Sequence, residues 1–248
     1  MSSKSYQSFS GKIKTLKQHL QLLDLSLTKA NSICTNNKNN GKNIAATLQS
    51  DLNKHPQLNI PNLPTDIRRT FTTTRRKVNE QAIIELYAYF SDYLLSVIRE
   101  IENTNPKRIL SLVPSQNTTS LTYNDIFQLK SYNSILDEIA KRIYRALENE
   151  RSTPKLLDKF IRITNLNVPD NLKQDALIYL EVRHLIIHGN SKADVRFINM
   201  NQHGLVKVNS SNKKLTINYA MTSDAIIKVN ELCEKIDTEL INKALICV

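Results

Sequence analysis

The chain reads as a mostly α-helical bundle with one small β-hairpin before its last helix. Three observations point there: apolar residues recur at intervals of three and four through most of the sequence, only four glycines interrupt its 248 residues, and looser apolar alternation is confined to residues 197–219. Helices, then a hairpin, then a closing helix is the order of a bundle and not of an alternating α/β fold. A chain of this length buries enough apolar surface to fold without crosslinks.

Each element has its own signal. Between Lys12 and Lys29 there is no Gly or Pro, and Leu16, Leu20, Leu22, Leu23, Leu25 and Leu27 predict an amphipathic helix. The polar run Asn36 to Gly41 ends it. Pro56, Pro61 and Pro64 impose extended backbone between His55 and Thr65, which divides the chain into a basic helical extension, 1–65, and a bundle, 66–248. A dense basic run, Arg68-Arg69 to Arg75-Arg76-Lys77, opens the second part. From Asn79 to Glu102 a stripe of Ile83, Leu86, Tyr87, Phe90, Leu94, Val97, Ile98 and Ile101 predicts the clearest long helix. Leu129, Tyr132, Leu136, Ile139, Ile143 and Leu147 predict another, closed by the charged run Glu148 to Arg151.

Thr153-Pro154 supplies an N-cap and a first-turn proline for a short helix through Phe160 and Ile161. Asn171 and Gln174 have capping-box spacing for a helix from Leu172 to His188, and Gly189 stops it. Residues 197–200, 205–208 and 215–219 predict the hairpin. A final helix from Ser223 to Ala244 carries Ile226, Val229, Cys233, Ile236, Leu240 and Ala244 on one face.

Composition narrows the chemistry. Cys34, Cys233 and Cys247 are odd in number and widely spaced, so neither a disulfide framework nor a thiolate zinc site is expected, and a reducing cytoplasm fits. No apolar leader follows Met1, and no run of 18 apolar residues predicts a membrane span. The scarcity of glycine leaves no phosphate loop of the Rossmann or P-loop kind. Net charge is +11, and the first 80 residues hold +9 of it, from 13 basic and four acidic residues. Such asymmetry suits a polyanion or an acidic partner protein, with Arg68, Arg69, Arg75, Arg76 and Lys77 as the expected RNA-binding cluster. Tyr6, Phe9 and Phe71 either pack or stack on unpaired bases.

The most informative stretch is Glu181-Val182-Arg183-His184-Leu185-Ile186-Ile187-His188-Gly189-Asn190. Two of the five histidines fall here with an arginine, at the end of an otherwise apolar helix. Arg183-x4-His188, with the polar His184 directly after the arginine, resembles the R-[NDH]-x3-H signature of the HEPN superfamily of small helical ribonucleases. The surroundings are similar too: Glu85-Leu86-Tyr87 on an early long helix, the motif on a late one, then Asp194-Val195-x-Phe197.

The resemblance implies an HEPN-like bundle whose catalytic residues are Arg183, His188 and His184, with Glu181, Asn190 and Glu85 in supporting roles. It also implies a homodimer whose two motifs face one cleft, and the setting of a toxin or antiviral-defence effector, with an antitoxin or defence-system partner. RNA supplies its own nucleophile, the 2′-hydroxyl, so cleavage needs no metal or cofactor. Histidine suits the proton transfers, since its unperturbed pKa is ~6.5, and arginine forks onto phosphate oxygens. On a straight helix residues i and i+5 point ~140° apart, which favours completion of the site by a second copy.

Other readings of the same residues stay open. Glu181, His184 and His188 lie on one side of a helix at ligand-compatible spacing, so a zinc or dimetal hydrolase is conceivable. Arg183 could cap a carboxylate while the histidines fill a helix end. A non-catalytic module that binds RNA or an acidic partner through its basic part is the alternative function. Glu181 either orients His184 or binds Arg183, and Asn190 either supports the site or extends the Gly189 cap.

Overall fold

The computed structural model describes residues 2–36, 42–60, 64–104, 121–129, 131–148 and 153–247. Residues 37–41 of the polar loop, Pro61, the side chain of Leu147 and the end of the charged run at Arg151 lie outside the described residues. Nine α-helices are described: α1 Lys4–Cys34, α2 Ile44–Thr47, α3 Pro64–Thr104, α4 Tyr123–Gln128, α5 Tyr132–Glu148, α6 Thr153–Thr164, α7 Asp170–His188, α8 Val195–Met200 and α9 Tyr219–Asn242. The bundle is built on α3, which packs against α1, α5, α7 and α9, while α7 also packs on α9 and α6.

The helix α1 is longer than its apolar signal. Ser3 caps it, its hydroxyl accepting from the Tyr6 amide at 3.1 Å, and Ser3 is itself held by Asp237 of α9, whose carboxylate accepts from the Ser3 amide at 3.1 Å. Ser5 donates twice to Glu100 of α3, at 2.8 Å each. These bonds order a first turn that its serine makes unattractive by propensity alone. Phe9, Ile13, Leu16 and Leu20 are buried, whereas Leu22, Leu23 and Leu25 are exposed. The leucine stripe therefore faces the main core as far as Leu20, and Leu27 packs on the small second core instead. Phe9 and Phe71 are buried in core clusters and Tyr6 packs partly buried against the first of them, so these three rings are packing groups.

The helix α3 absorbs the basic run. Pro64 stands in its first turn, where a proline costs nothing. No glycine or proline breaks 65–104, and Ile67 and Phe71 bury themselves in a small second core with Cys34 and Ile44. Periodicity suggested a start at Asn79 because the stripe that faces the main core begins there. The main core holds Phe9, Ile13, Leu16 and Leu20 together with Ile83, Leu86, Phe90, Leu94, Ile98 and the α7 and α9 stripes. Residues from the expected extension and from the bundle thus share one interior.

Three further expectations change. α7 starts at Asp170 after Pro169, which makes no side-chain cap bond, so Asn171 and Gln174 form no capping box. The acidic Asp170 in the first turn complements the helix dipole instead. No β-hairpin forms among the described residues 192–219, where Lys192 with Lys214 and Val208 with Leu215 make isolated bridges. Residues 197–200 are helical because Asp194 caps α8, accepting from the Phe197 amide at 2.7 Å. The following loop is closed by the Asn201 side chain, which donates to the Val206 carbonyl at 2.6 Å and accepts from the Val206 amide at 3.0 Å. A side chain does there what a strand ladder would have done. Finally, α9 begins at Tyr219 under an Asn218 cap and ends at Asn242, with Ala244 beyond it at φ +50°. No described helix is long and apolar enough to cross a membrane.

Candidate active site

The end of α7 is tightly wound. The Leu185 carbonyl accepts from the Gly189 amide at 3.0 Å and from the Ser191 amide at 2.8 Å. Asn190 and Ser191 take left-handed φ values of +50° and +57° to make this turn. Gly189 is favoured by proximity: a Cβ there would lie 3.1 Å from the Leu185 carbonyl oxygen and 3.2 Å from that of Lys192, and both would have to give way by a few tenths of an ångström. Asn190 contributes through its backbone, and its side chain is exposed.

On the last two turns of the helix, His184 and His188 are exposed, and their rings meet with centroids 4.9 Å apart at 44°. Arg183 is half-buried, its guanidinium carbon 4.7 Å from the centre of the Tyr87 ring on α3. Its Nε is buried without a hydrogen-bond partner. A cation laid on an aromatic face keeps its charge while its orientation is restricted. Tyr87, placed in the core stripe by periodicity, is thus the platform of the motif arginine. Glu85 accepts from Gln81 at 3.2 Å along its own helix.

Glu181 is buried and pairs with Arg196 of α8 at 3.5 Å. It forms that link in place of the expected ones to His184 or Arg183. Among the described residues no three His, Cys, Asp or Glu side chains gather into a metal-holding group, so the spacing of Glu181, His184 and His188 is not matched by their geometry.

One residue of the site escaped sequence reasoning. Glu80 is buried where α3 passes the end of α7, and three donors meet on it: Arg76 Nε at 2.9 Å and Ser191 Oγ at 3.1 Å on one oxygen, Lys77 Nζ at 2.7 Å on the other. Burial pushes its carboxyl up, but the bonds from Lys77, Arg76 and Ser191 prevail and hold it below the usual range. The i, i+3 and i, i+4 spacing from Lys77 and Arg76 was a visible signal; the contact with Ser191, 111 positions away, was not.

Through Glu80 the structure brings the end of the basic cluster to the motif helix. The five basic residues divide accordingly. Arg68 and Arg69 are exposed near the start of α3, Arg75 donates to the Thr28 hydroxyl of α1, and Arg76 and Lys77 stand beside Ser191. Family models, curated protein sequences and solved structures return no match to this chain.

Proposed function

We propose that the chain is a metal-independent endoribonuclease of HEPN type, acting as a toxin or antiviral-defence effector. The observation that carries this reading is the exposed, touching pair His184 and His188 at a helix end beside Arg183, whose guanidinium rests on Tyr87. In the reaction one neutral imidazole takes the 2′-hydroxyl proton as the 2′-oxygen attacks phosphorus. An imidazolium gives its proton to the departing 5′-oxygen, which leaves a 2′,3′-cyclic phosphate and a 5′-hydroxyl. Arg183 offsets the charge that builds on the phosphorane.

A second copy completes the site. Ile187 beside His188, with Val195 and Ile198 on α8, leaves apolar surface exposed next to the motif, as a two-fold contact would use. Cys34 and Cys233 are buried thiols, which suits a reducing cytoplasm.

The test is cleavage of total RNA in EDTA by the wild type, Arg183→Ala and His188→Ala. Each variant is expected to lose ~10²–10⁴-fold in rate while keeping its helical signal. Unchanged cleavage in both would remove the catalytic assignment. Binding of RNA without cleavage by the wild type would favour the non-catalytic module.

A further inference from the structure

We infer that the cleft between α6, α7 and α8 is a nucleotide subsite, which holds a base and phosphate of the single-stranded RNA a short way along from the bond being cut. This rests on the ribonuclease reading for its substrate but on separate residues for its geometry. The cleft is open to solvent along one side and has a volume of about 750 Å³, within the ~300–1,000 Å³ usual for small-ligand sites.

Its lining matches the parts of a nucleotide. Leu177 and Ile178 of α7, with Met200 of α8, give an apolar floor for the face of a base. Asn199 and Gln202 stand exposed at the cleft, and each amide presents both donors and an acceptor, which is what a base edge requires. Arg196, Lys155 and His203 supply donors for a phosphate. The wall between α6 and α7 is pinned by Lys173, which holds Asp158 at 3.0 Å and Asp170 at 3.1 Å.

The register of α7 connects this cleft with the histidines. Gln174 in the cleft, Glu181 and His188 follow at intervals of seven residues, a repeat that drifts only ~20° per step around a helix. The cleft, the Glu181–Arg196 pair and the imidazoles therefore lie in line on one face. Glu181 and His188 are about 10 Å apart along the axis, and Gln174 and His188 about 21 Å. A strand that passes over the half-exposed Arg196, which covers the buried Glu181, meets the imidazoles and the cleft in succession.

The experiment uses the double variant Asn199→Ala/Gln202→Ala, which changes two exposed side chains outside the catalytic group. Wild type and variant cut a random-sequence RNA in EDTA, and the new ends are sequenced. The base preference flanking the cut is expected to weaken by about tenfold in the variant, the loss of roughly two ordinary hydrogen bonds. Cleavage of a dinucleotide, too short to reach the cleft, should keep its rate. An unchanged flanking preference overturns the subsite.

A second arm needs no cleavage: fluorescence anisotropy of labelled 2′-O-methyl hexanucleotides, whose blocked 2′-oxygen cannot attack. About tenfold weaker binding by the variant supports the subsite, and equal affinities or no wild-type binding overturn it. If the wild type binds the hexanucleotide through the cleft yet cuts no RNA, the ribonuclease reading fails and the subsite stands.

Discussion

Two buried carboxylates on α3 respond to pH in opposite directions. Glu80 is held below its usual range, so the stability it contributes is complete above the unfolded pKa, ~4.3, and is lost as pH falls through the folded value. Glu102 is buried near the other end of the helix. Burial first, and Asp137 second, push its carboxyl up to about 7 against the pull of Arg99. Folding then costs more as pH rises from the unfolded value through about 7. Glu80→Gln should therefore melt below the wild type at neutral pH, by about 1–3 kcal/mol, with the gap closing in acid. Glu102→Gln should match the wild type near pH 4 and gain on it up to pH 8. Thermal melts of the three proteins from pH 4 to 8 check both, and parallel curves would contradict the assignment. At this scale the grouping of Arg183, His184 and His188 was visible in the sequence because they fall within six residues of one helix. Glu80 and the Tyr87 platform were not, since both depend on α3 crossing α7.

Among the elements, α3 decides how the basic cluster works. Arg68 and Arg69 lie two to three turns before Arg76 and Lys77, which belong to the Glu80 cluster beside the motif. Replacing Arg68 and Arg69 by glutamine should weaken RNA binding and flatten the salt dependence by roughly 0.7 in log–log slope per lost phosphate contact, with saturated turnover unchanged. Replacing Arg76 and Lys77 should also lower turnover. RNA affinity at several salt concentrations and single-turnover rates separate the pairs, and identical behaviour of both would leave the cluster undivided. Helices with a continuous core stripe, such as α9, were legible in outline. The first turns of α1 and α3 were not, because tertiary bonds and a second small core hold them. The hairpin was misread at α8, where Asp194 as a cap outweighs the aromatic and β-branched character of Phe197 and Ile198.

For the whole molecule, the core joins what the prolines at 56–64 suggested were separate parts. Phe9, Ile13, Leu16 and Leu20 are buried against α3 and α9 residues, and four such side chains contribute ~6–12 kcal/mol, comparable with an entire net stability of ~5–15 kcal/mol. A chain starting at residue 66 should therefore fail to fold. Circular dichroism reads this, and a cooperative melt of that shortened chain would show the bundle to be independent. The second copy has its own test. Light scattering should give a dimer, whose interface needs at least ~1,200 Å² in total. Mixing Arg183→Ala with His188→Ala should restore part of the activity if one cleft draws on both chains. A fully active monomer would exclude that arrangement. The 41 residues of α3 form a rod about 60 Å long, and a helix barely compresses along its axis. From Arg68 to Glu80 is about 18 Å of that rod, so on the proposed reading an RNA gripped at Arg68 meets the Glu80 cluster beside the end of α7 at a set interval. On the proposed ribonuclease reading the helix is a ruler that sets how far from the Arg68 grip a strand is cut.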